Sequence, residues 1–148
     1  MTGMPDPESL DRLFAHICRL KHARVHTLYE ALGLYRGQPR MLRLLWDQEG
    51  LTHTDLSRQL QVQPATITKM IQRMEKTGFV ERRHDPDDQR VSRVYLTPAG
   101  RAVREDVQLV WRRLEEEAFA GFSEEERVLL RQFFLRIREN LTQASSGS

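Results

Sequence analysis

The stretch LTHTDLSRQLQVQPATITKMIQRMEKTGFVERRHDPDDQRVSRVYLTPAG, residues 51–100, decides the fold of this chain. Thr52 is followed three residues later by Asp55, a pattern typical of a helix N-terminus, and Pro64 suits the first turn of a second helix. The apolar residues of the second helix recur on one face, and they are Ile67, Met70, Ile71 and Met74. Two short helices joined by a tight turn are therefore predicted, which is the arrangement of a helix-turn-helix.

A charged hairpin is predicted directly after this pair of helices. Gly78 is expected to end the second helix with a left-handed backbone. Val94 and Leu96 alternate with polar neighbours, as in a strand with one covered face, and the sequence DPDD at residues 85–88 is rich in turn-forming residues. Together the helices and the hairpin indicate a winged helix-turn-helix.

Apolar helices are predicted on both sides of this core. The last helix begins at the sequence SEEE, which resembles a capping box, and carries an apolar stripe that needs a partner helix. The predicted fold class is mainly α with a small β-hairpin wing. We expect a single domain of residues 1–148, divided into an N-terminal helix (8–36), the winged helix-turn-helix core (37–100), C-terminal helices (101–142) and a flexible tail (143–148).

The outer face of the second motif helix suits a DNA groove. A helix that enters the major groove, about 12 Å wide, needs short or hydrogen-bonding side chains that reach base edges. Such residues occur here as Gln63, Ala65, Thr66, Thr68 and Lys69. Many exposed helices also carry lysine and threonine, so the helix pair by itself leaves an ordinary solvated surface as an alternative.

Basic residues are concentrated in the same region. The net charge of the whole 148-residue chain is only +2. Residues 58–83 contain six basic residues and two acidic ones, which is a surplus of four. A nucleic-acid surface on this chain must therefore arise from local clustering of charge.

Composition and motifs argue against several classes of protein. Cys18 is the only cysteine, which excludes an internal disulfide and a cysteine-rich zinc site and fits a cytoplasmic location. No apolar run is long enough to span a membrane, and residues 1–10 lack the features of a signal peptide. The chain has no phosphate-binding loop, nucleophile elbow or HExxH sequence, so neither an enzyme nor a cofactor is expected.

The same stretch resembles the DNA-binding core of the MarR family of regulators. The Gly78-Phe79-Val80 turn with Arg82 matches the family's pattern, as does Asp88-x-Arg90 followed by Val94-x-Leu96-Thr97-x-x-Gly100. Further matching positions are Leu56, Leu60, Val62 and Thr66. The flanking helices match in order and length, so the resemblance covers almost the whole chain.

This resemblance implies a homodimeric protein that binds double-stranded DNA, most often as a repressor. The first and last helices would intertwine with those of a second copy, the second motif helix would enter a major groove, and the wing would enter the neighbouring minor groove. Arg90 matches the family's wing-tip arginine, and Asp88 is expected to support the wing. For Arg58, Arg73 and Arg93, a phosphate contact and a solvated surface charge remain alternatives.

The resemblance also implies a small-molecule effector, although no effector-binding residues are assigned from the sequence. Other members of the family use a reactive cysteine or a metal. Cys18 lies beside the apolar face with Phe14 and Ile17 and is expected to be a buried, inert thiol. In the peroxide-sensing branch the cysteine matches a position near 11 instead. The pair His22 and His26 could bind a metal, but solvated or interface histidines are expected instead, and no metal site is predicted.

Two histidines and two alternative functions remain. His53 and His84 are expected to be surface residues. One alternative function is a winged-helix module that binds a protein rather than DNA. A second alternative is a DNA-binding regulator that is switched by oxidation of Cys18.

Overall fold

The computed structural model describes residue 6 and residues 8–147 of the chain. The helices and strands are, in order, α1 (Leu10–Glu30), α2 (Gln38–Asp47), β1 (Leu51–Thr52), α3 (His53–Leu60), α4 (Pro64–Thr77), β2 (Val80–His84), β3 (Ser92–Leu96), α5 (Pro98–Ala118) and α6 (Glu124–Ser146). This order confirms the mainly helical fold with a hairpin wing. The expectations that concern residues 1–5, 7 and 148 lie outside the described residues.

The strands form a small antiparallel sheet in the order β1-β3-β2. Val80 pairs with Leu96 and His84 pairs with Ser92, which fixes the register of the wing. Leu51 of β1 pairs with Val94 on the other edge of β3. The sequence did not predict β1, because two residues are too short to show alternation and their partners lie more than 40 positions away.

Local sequence signals set most of the helix ends. The Thr52 hydroxyl accepts a hydrogen bond from Asp55 N at 3.1 Å, and the Asp55 carboxylate accepts one from Thr52 N at 3.0 Å, so the predicted capping box is confirmed. Gly78 has φ of 85°, a left-handed conformation that glycine adopts without steric cost. Both features hold the motif helices at the bounds that the sequence predicts.

The last helix is longer than predicted. The sequence places residues 143–148 in a tail, whereas α6 continues to Ser146. The hydroxyls of Thr142 and Ser145 donate to carbonyl oxygens four residues earlier, at 2.8 and 2.9 Å. A serine-rich end can therefore stay helical, because its side chains bond back to the helix rather than compete with it.

One core joins the motif helices to the sheet. Val94 and Leu96 point into it, as their alternation predicts. The side chains that are completely enclosed are those of Leu34, Met41, Leu42, Leu45, Leu56, Ile67, Ile71, Met74 and Val94. Burying each of them contributes about 1.5–3 kcal/mol, so this core holds α4 and the wing on a rigid support.

A compact junction connects the wing to α5. Thr97 N donates to the Phe79 carbonyl oxygen at 3.1 Å, and the Thr97 hydroxyl donates to the Gly78 carbonyl oxygen. Gly100 N donates to the Thr97 hydroxyl at 3.1 Å, and Trp46 Nε1 donates to the Gly100 carbonyl oxygen at 2.8 Å. The end of α4, the end of β3 and the start of α5 are thus held at one point.

The chain divides into two compact units, one up to Leu114 and one from Glu115 onward. The first unit contains the winged helix-turn-helix, and in it α1 exposes the apolar side chains of Leu10, Leu13, Phe14, Ile17 and Leu20. The second unit consists of the end of α5 and α6, and α6 exposes Val128, Leu129, Phe133, Phe134, Leu135, Ile137 and Leu141. Within the described part of the chain, every helix is too short or too polar to cross a bilayer.

Candidate nucleic-acid interface

Helix α4 presents a polar face to solvent and an apolar face to the core. Pro64 occupies its first turn, and the turn before it is closed by a 2.6 Å hydrogen bond from the Ser57 hydroxyl to the Val62 carbonyl oxygen. Ile67, Ile71 and Met74 are buried. Most of the residues in and just before α4 that are predicted to contact DNA are exposed, namely Gln63, Ala65, Thr66, Lys69 and Arg73.

Thr68 differs from the other predicted contacts because it is half-buried at one edge of α4. Its hydroxyl donates to the Pro64 carbonyl oxygen at 3.1 Å, and the same oxygen lies 3.5 Å from His53 Nδ1. Since the hydroxyl proton is used within the helix, the oxygen offers mainly an acceptor. The structure therefore brings Thr68 against α3, whereas its neighbours face outward.

The tip of the wing is shaped by aspartates. Asp85 N donates to the Val91 carbonyl oxygen at 2.8 Å, and the Asp85 carboxylate accepts a bond from Asp87 N at 2.8 Å. The Asp88 carboxylate accepts Arg90 N at 3.0 Å and Arg90 Nε at 3.3 Å. Asp88 thus contacts Arg90, while its role in supporting the wing stays a prediction.

Arg90 projects from the wing with its side chain 93% exposed. An ion pair as exposed as its contact with Asp88 contributes little to stability, and the guanidinium can leave it at small cost. The tip therefore offers a guanidinium group that can exchange Asp88 for another partner. Such a side chain can reach into a narrow minor groove, where the negative potential is strongest.

Arg93 is bonded to neighbouring groups of the same chain, an environment that differs from both a phosphate contact and a solvated surface charge. Its Nε donates to Asp85 Oδ2 at 2.7 Å, and its Nη1 donates to the Gly50 carbonyl oxygen at 2.9 Å. The hydrogen bond from Arg93 also lowers the pKa of Asp85. These contacts favour a role in fixing the base of the wing, while a phosphate contact of Arg93 stays a prediction.

The other two arginines remain on the surface. Arg58 pairs with Asp55 at 2.8 Å with its side chain 73% exposed, so the pair does not tie it down. Arg73 is exposed on α4. Arg82, one of the positions that match the family, pairs instead with Glu75 at 2.8 Å and connects β2 to α4.

His53 is not the surface residue that the sequence predicts, whereas His84 is exposed as expected. The His53 ring is half-buried at the start of α3, and its Nε2 is enclosed without a hydrogen-bond partner among the described residues. Burial lowers the pKa of His53 from its ordinary value of 6.5, and the nearby Arg82 lowers it further. These neighbours belong to α4 and β2 and come together only in the folded chain, so the sequence alone predicts a solvated ring.

The prediction that Cys18 is buried is wrong for this chain, because its side chain is exposed. Its apolar neighbours Phe14 and Ile17 are exposed as well, so the described residues leave this face of α1 uncovered. His22 is exposed, and His26 Nε2 lies 3.0 Å from Glu30 Oε1. Among the described residues, no three metal-ligating side chains lie close enough together to hold a metal ion.

The turn at Glu49 and Gly50 organises the base of the wing through contacts that the sequence does not predict. Gly50 has φ of 80°, its N donates to the Val94 carbonyl oxygen at 2.9 Å, and its own carbonyl binds Arg93. The Glu49 carboxylate accepts Leu96 N at 2.8 Å and Arg101 Nη2 at 3.1 Å. A glycine after a helix signals the turn, but no local signal names its partners on β3 and α5.

Comparisons with known proteins agree with this geometry. The model of the MarR family matches residues 34–92, the segment from the approach to α2 to the start of β3. The uncharacterized HTH-type transcriptional regulator YdgJ of Bacillus subtilis is 31% identical over 109 residues, which cover 74% of this chain and 66% of YdgJ, just under two thirds of its length. The transcriptional regulator HosA of Escherichia coli O111:H- is 31% identical over 70% of this chain and 77% of HosA.

The fold is shared with solved structures. A mutant of MepR from S. aureus, bound to an oligodeoxyribonucleotide, superposes with a TM-score of 0.74 at 23% identity, over 90% of this chain and 98% of that one. The likeness to MepR concerns the fold, and the sequence matches to the family model and to HosA carry the assignment. The chain therefore belongs to the MarR family of winged helix-turn-helix transcriptional regulators.

Proposed function

We propose that the chain is a sequence-specific DNA-binding regulator that acts as a homodimeric repressor at a pseudo-palindromic operator. The observation that carries this proposal is the outward polar row of α4, with Lys69 at its centre, next to a wing whose Arg90 is almost fully exposed. In this arrangement α4 enters a major groove and reads base edges through Gln63 and Thr66. The wing places Arg90 in the adjacent minor groove.

The proposed homodimer rests on apolar surface that a single chain leaves in water. In α1, Leu10 is 88% exposed and Ile17 is 59% exposed. In α6, no described residue is fully buried and Leu141 is 57% exposed. Large apolar surfaces of this kind mark protein interfaces. A second copy of the chain would cover the helices of residues 8–36 and 101–142 and make one domain of the assembled protein.

We further propose that a small-molecule effector releases the operator in the cytoplasm, as in the family that the chain belongs to. A ligand releases DNA only when it binds the DNA-free conformation more tightly than the DNA-bound one. Both YdgJ and HosA are named as transcriptional regulators.

The proposal is tested by measuring the affinity of the purified protein for DNA upstream of its own gene over a range of salt concentrations. Neutralising phosphates releases counterions, so the affinity should fall steeply as salt rises. Footprinting should reveal two half-sites about one helical turn apart, roughly 10 base pairs, because a two-fold dimer presents two copies of α4. An affinity that barely changes with salt would contradict the phosphate contacts.

Selection from a pool of random duplexes separates this function from a protein-binding module. A sequence reader should enrich a motif with two-fold symmetry. If no motif is enriched, the polar face of α4 has no sequence preference, and binding to an acidic protein becomes the better explanation.

A further inference from the structure

The segment before and within α2 carries two arginines that the predicted DNA contacts do not include. Residues 35–46, YRGQPRMLRLLW, contain three arginines and no acidic residue. Arg36 and Arg40 are exposed, and neither side chain has a hydrogen bond or an ion pair with any residue that the structure describes. Tyr35 beside them is 51% exposed. We refer to Tyr35, Arg36 and Arg40 as the α2 patch.

The α2 patch adjoins one edge of α4. Gly37 follows Arg36 directly, and a Cβ placed on Gly37 would lie 2.8 Å from Met70 Cε. Met70 is one helical turn from both Thr66 and Arg73 and shares an edge of α4 with them. The turn that carries Arg36 therefore packs against the Thr66–Arg73 edge.

The wing adjoins the opposite edge of α4. There, Thr68 approaches His53 at 3.5 Å, and Glu75 pairs with Arg82 of β2 at 2.8 Å. The outward row that contains Ala65 and Lys69 lies between the two edges. The α2 patch and the wing thus flank the proposed DNA-reading face on its two sides.

We propose that the α2 patch binds the phosphate backbone of the DNA strand that borders the major groove on the side away from the wing. An α-helix with its side chains is about 10–12 Å across and fills a groove about 12 Å wide. Groups just beyond the edge of the helix therefore meet the backbone rather than the bases. Guanidinium groups bind phosphate oxygens in a bidentate manner, and a tyrosine hydroxyl can donate to them as well.

This inference rests on the proposed function, since it adds contacts to the same DNA complex. It differs from the base contacts in its expected signature, because phosphate contacts carry no sequence information. Their loss should weaken binding to every duplex equally. It should also reduce the number of counterions released on binding.

Arg43 provides a matched control on the same helix. It is exposed, as Arg36 and Arg40 are. Arg43 lies near the Tyr29 hydroxyl of α1: burial raises the pKa of this hydroxyl, and the charge of Arg43 lowers it. Arg43 therefore has different neighbours from Arg36 and Arg40. Arg43→Gln therefore removes the same charge from α2 without removing a side chain of the α2 patch.

The test compares the full-length wild type with Arg36→Gln, Arg40→Gln, the double variant and Arg43→Gln. Affinity is measured over a range of salt concentrations for a selected duplex and for a scrambled duplex of equal length. Because the proposed dimer carries two copies of the α2 patch, each patch substitution should lower the slope of log affinity against log salt by about 2. Since the double variant removes four contacts from the dimer, the advantage of the wild type over it should shrink roughly a hundredfold between about 0.05 and about 0.2 M salt.

The outcomes are distinguishable. Equal losses on both duplexes, with Arg43→Gln close to wild type and unchanged thermal unfolding of all variants, support the phosphate contacts. An unchanged slope in the double variant, or an equal drop for Arg43→Gln, overturns the inference but leaves the proposed function standing. If the wild type itself shows no salt-dependent binding to either duplex, the proposed function fails, and this inference fails with it.

Discussion

Gly100 allows a quantitative prediction about the junction between the wing and α5. A Cβ added at this position would lie 2.1 Å from the Phe79 carbonyl oxygen and 3.1 Å from Leu96 Cδ2. The first contact is with backbone, so no flexible side chain can move aside. The substitution Gly100→Ala must therefore push the first turn of α5 away from the backbone of Phe79.

The cost can be worked out from three contributions. Forcing an extra methyl group into a packed site costs about 1–3 kcal/mol. Moving the Phe79 carbonyl weakens its 3.1 Å hydrogen bond from Thr97 N, which costs about 1 kcal/mol. Alanine is a better helix former than glycine by about 1 kcal/mol, which offsets the hydrogen bond. Gly100→Ala should therefore destabilise the protein by about 1–3 kcal/mol.

Urea unfolding of the wild type and the variant, followed by circular dichroism, measures this difference. Gly147→Ala is a suitable control, because a Cβ there meets its nearest atom at an ordinary 3.7 Å. The control should change the free energy of unfolding by less than about 0.5 kcal/mol. A Gly100→Ala variant as stable as the wild type would refute the argument that the close approach to Phe79 requires glycine.

Three further predictions concern the candidate interface and α1. Arg90→Ala removes one cation from each of the two wings of the proposed dimer, so it should lower the salt slope of DNA binding by about 2, with the largest loss on A·T-rich flanks. Arg93→Gln should weaken binding without changing the slope, because the Arg93 guanidinium is bonded to Asp85 and Gly50. A reduced slope for Arg93→Gln would instead make Arg93 a phosphate contact. The pKa of His53 is lowered in the folded state, so the unfolded chain binds a proton at this ring more readily than the folded chain does. The stability that the neutral His53 ring contributes should therefore be lost as the pH falls below about 6.5. His53→Gln should flatten this part of the curve of urea midpoint against pH, and an equal loss in both proteins would exclude His53 as the cause. A redox switch at Cys18, which is exposed in the single chain, predicts that peroxide releases DNA from the wild type but not from Cys18→Ser. Release from both proteins would remove that alternative.

Much of the motif could be predicted because its signals are local. The capping box at Thr52, the proline at the start of α4 and the left-handed Gly78 each depend on a few neighbouring residues. The buried face of α4 follows from the helical period alone. The polar outer face, including Lys69, follows from the same period, and it is the part of the candidate site that the sequence placed correctly on the surface.

The environments of single polar side chains could not be predicted in this way. Arg93 and His53 lie in a charged or polar sequence context, and both were expected at the surface or on DNA. Their partners come from other elements, since Arg93 binds the Gly50 carbonyl 43 positions away and His53 faces Thr68 15 positions away. Periodicity describes which face of an element is apolar, but it does not describe which element packs against that face.

By itself, the sequence determined the order of the helices and of the two wing strands, the ends of the motif helices and the outward face of α4, because these depend on capping, helical period and turn chemistry within short segments. Only the tertiary structure decided that Arg93 braces the wing, that Arg36 borders α4 through Gly37 and Met70, and that Gly100 meets the backbone of Phe79. The physical reason is that these contacts form only after the core has brought distant segments within a few ångströms of one another. The α2 patch belongs to this second class, since its arginines are unremarkable in the sequence and gain their meaning from the helix beside them.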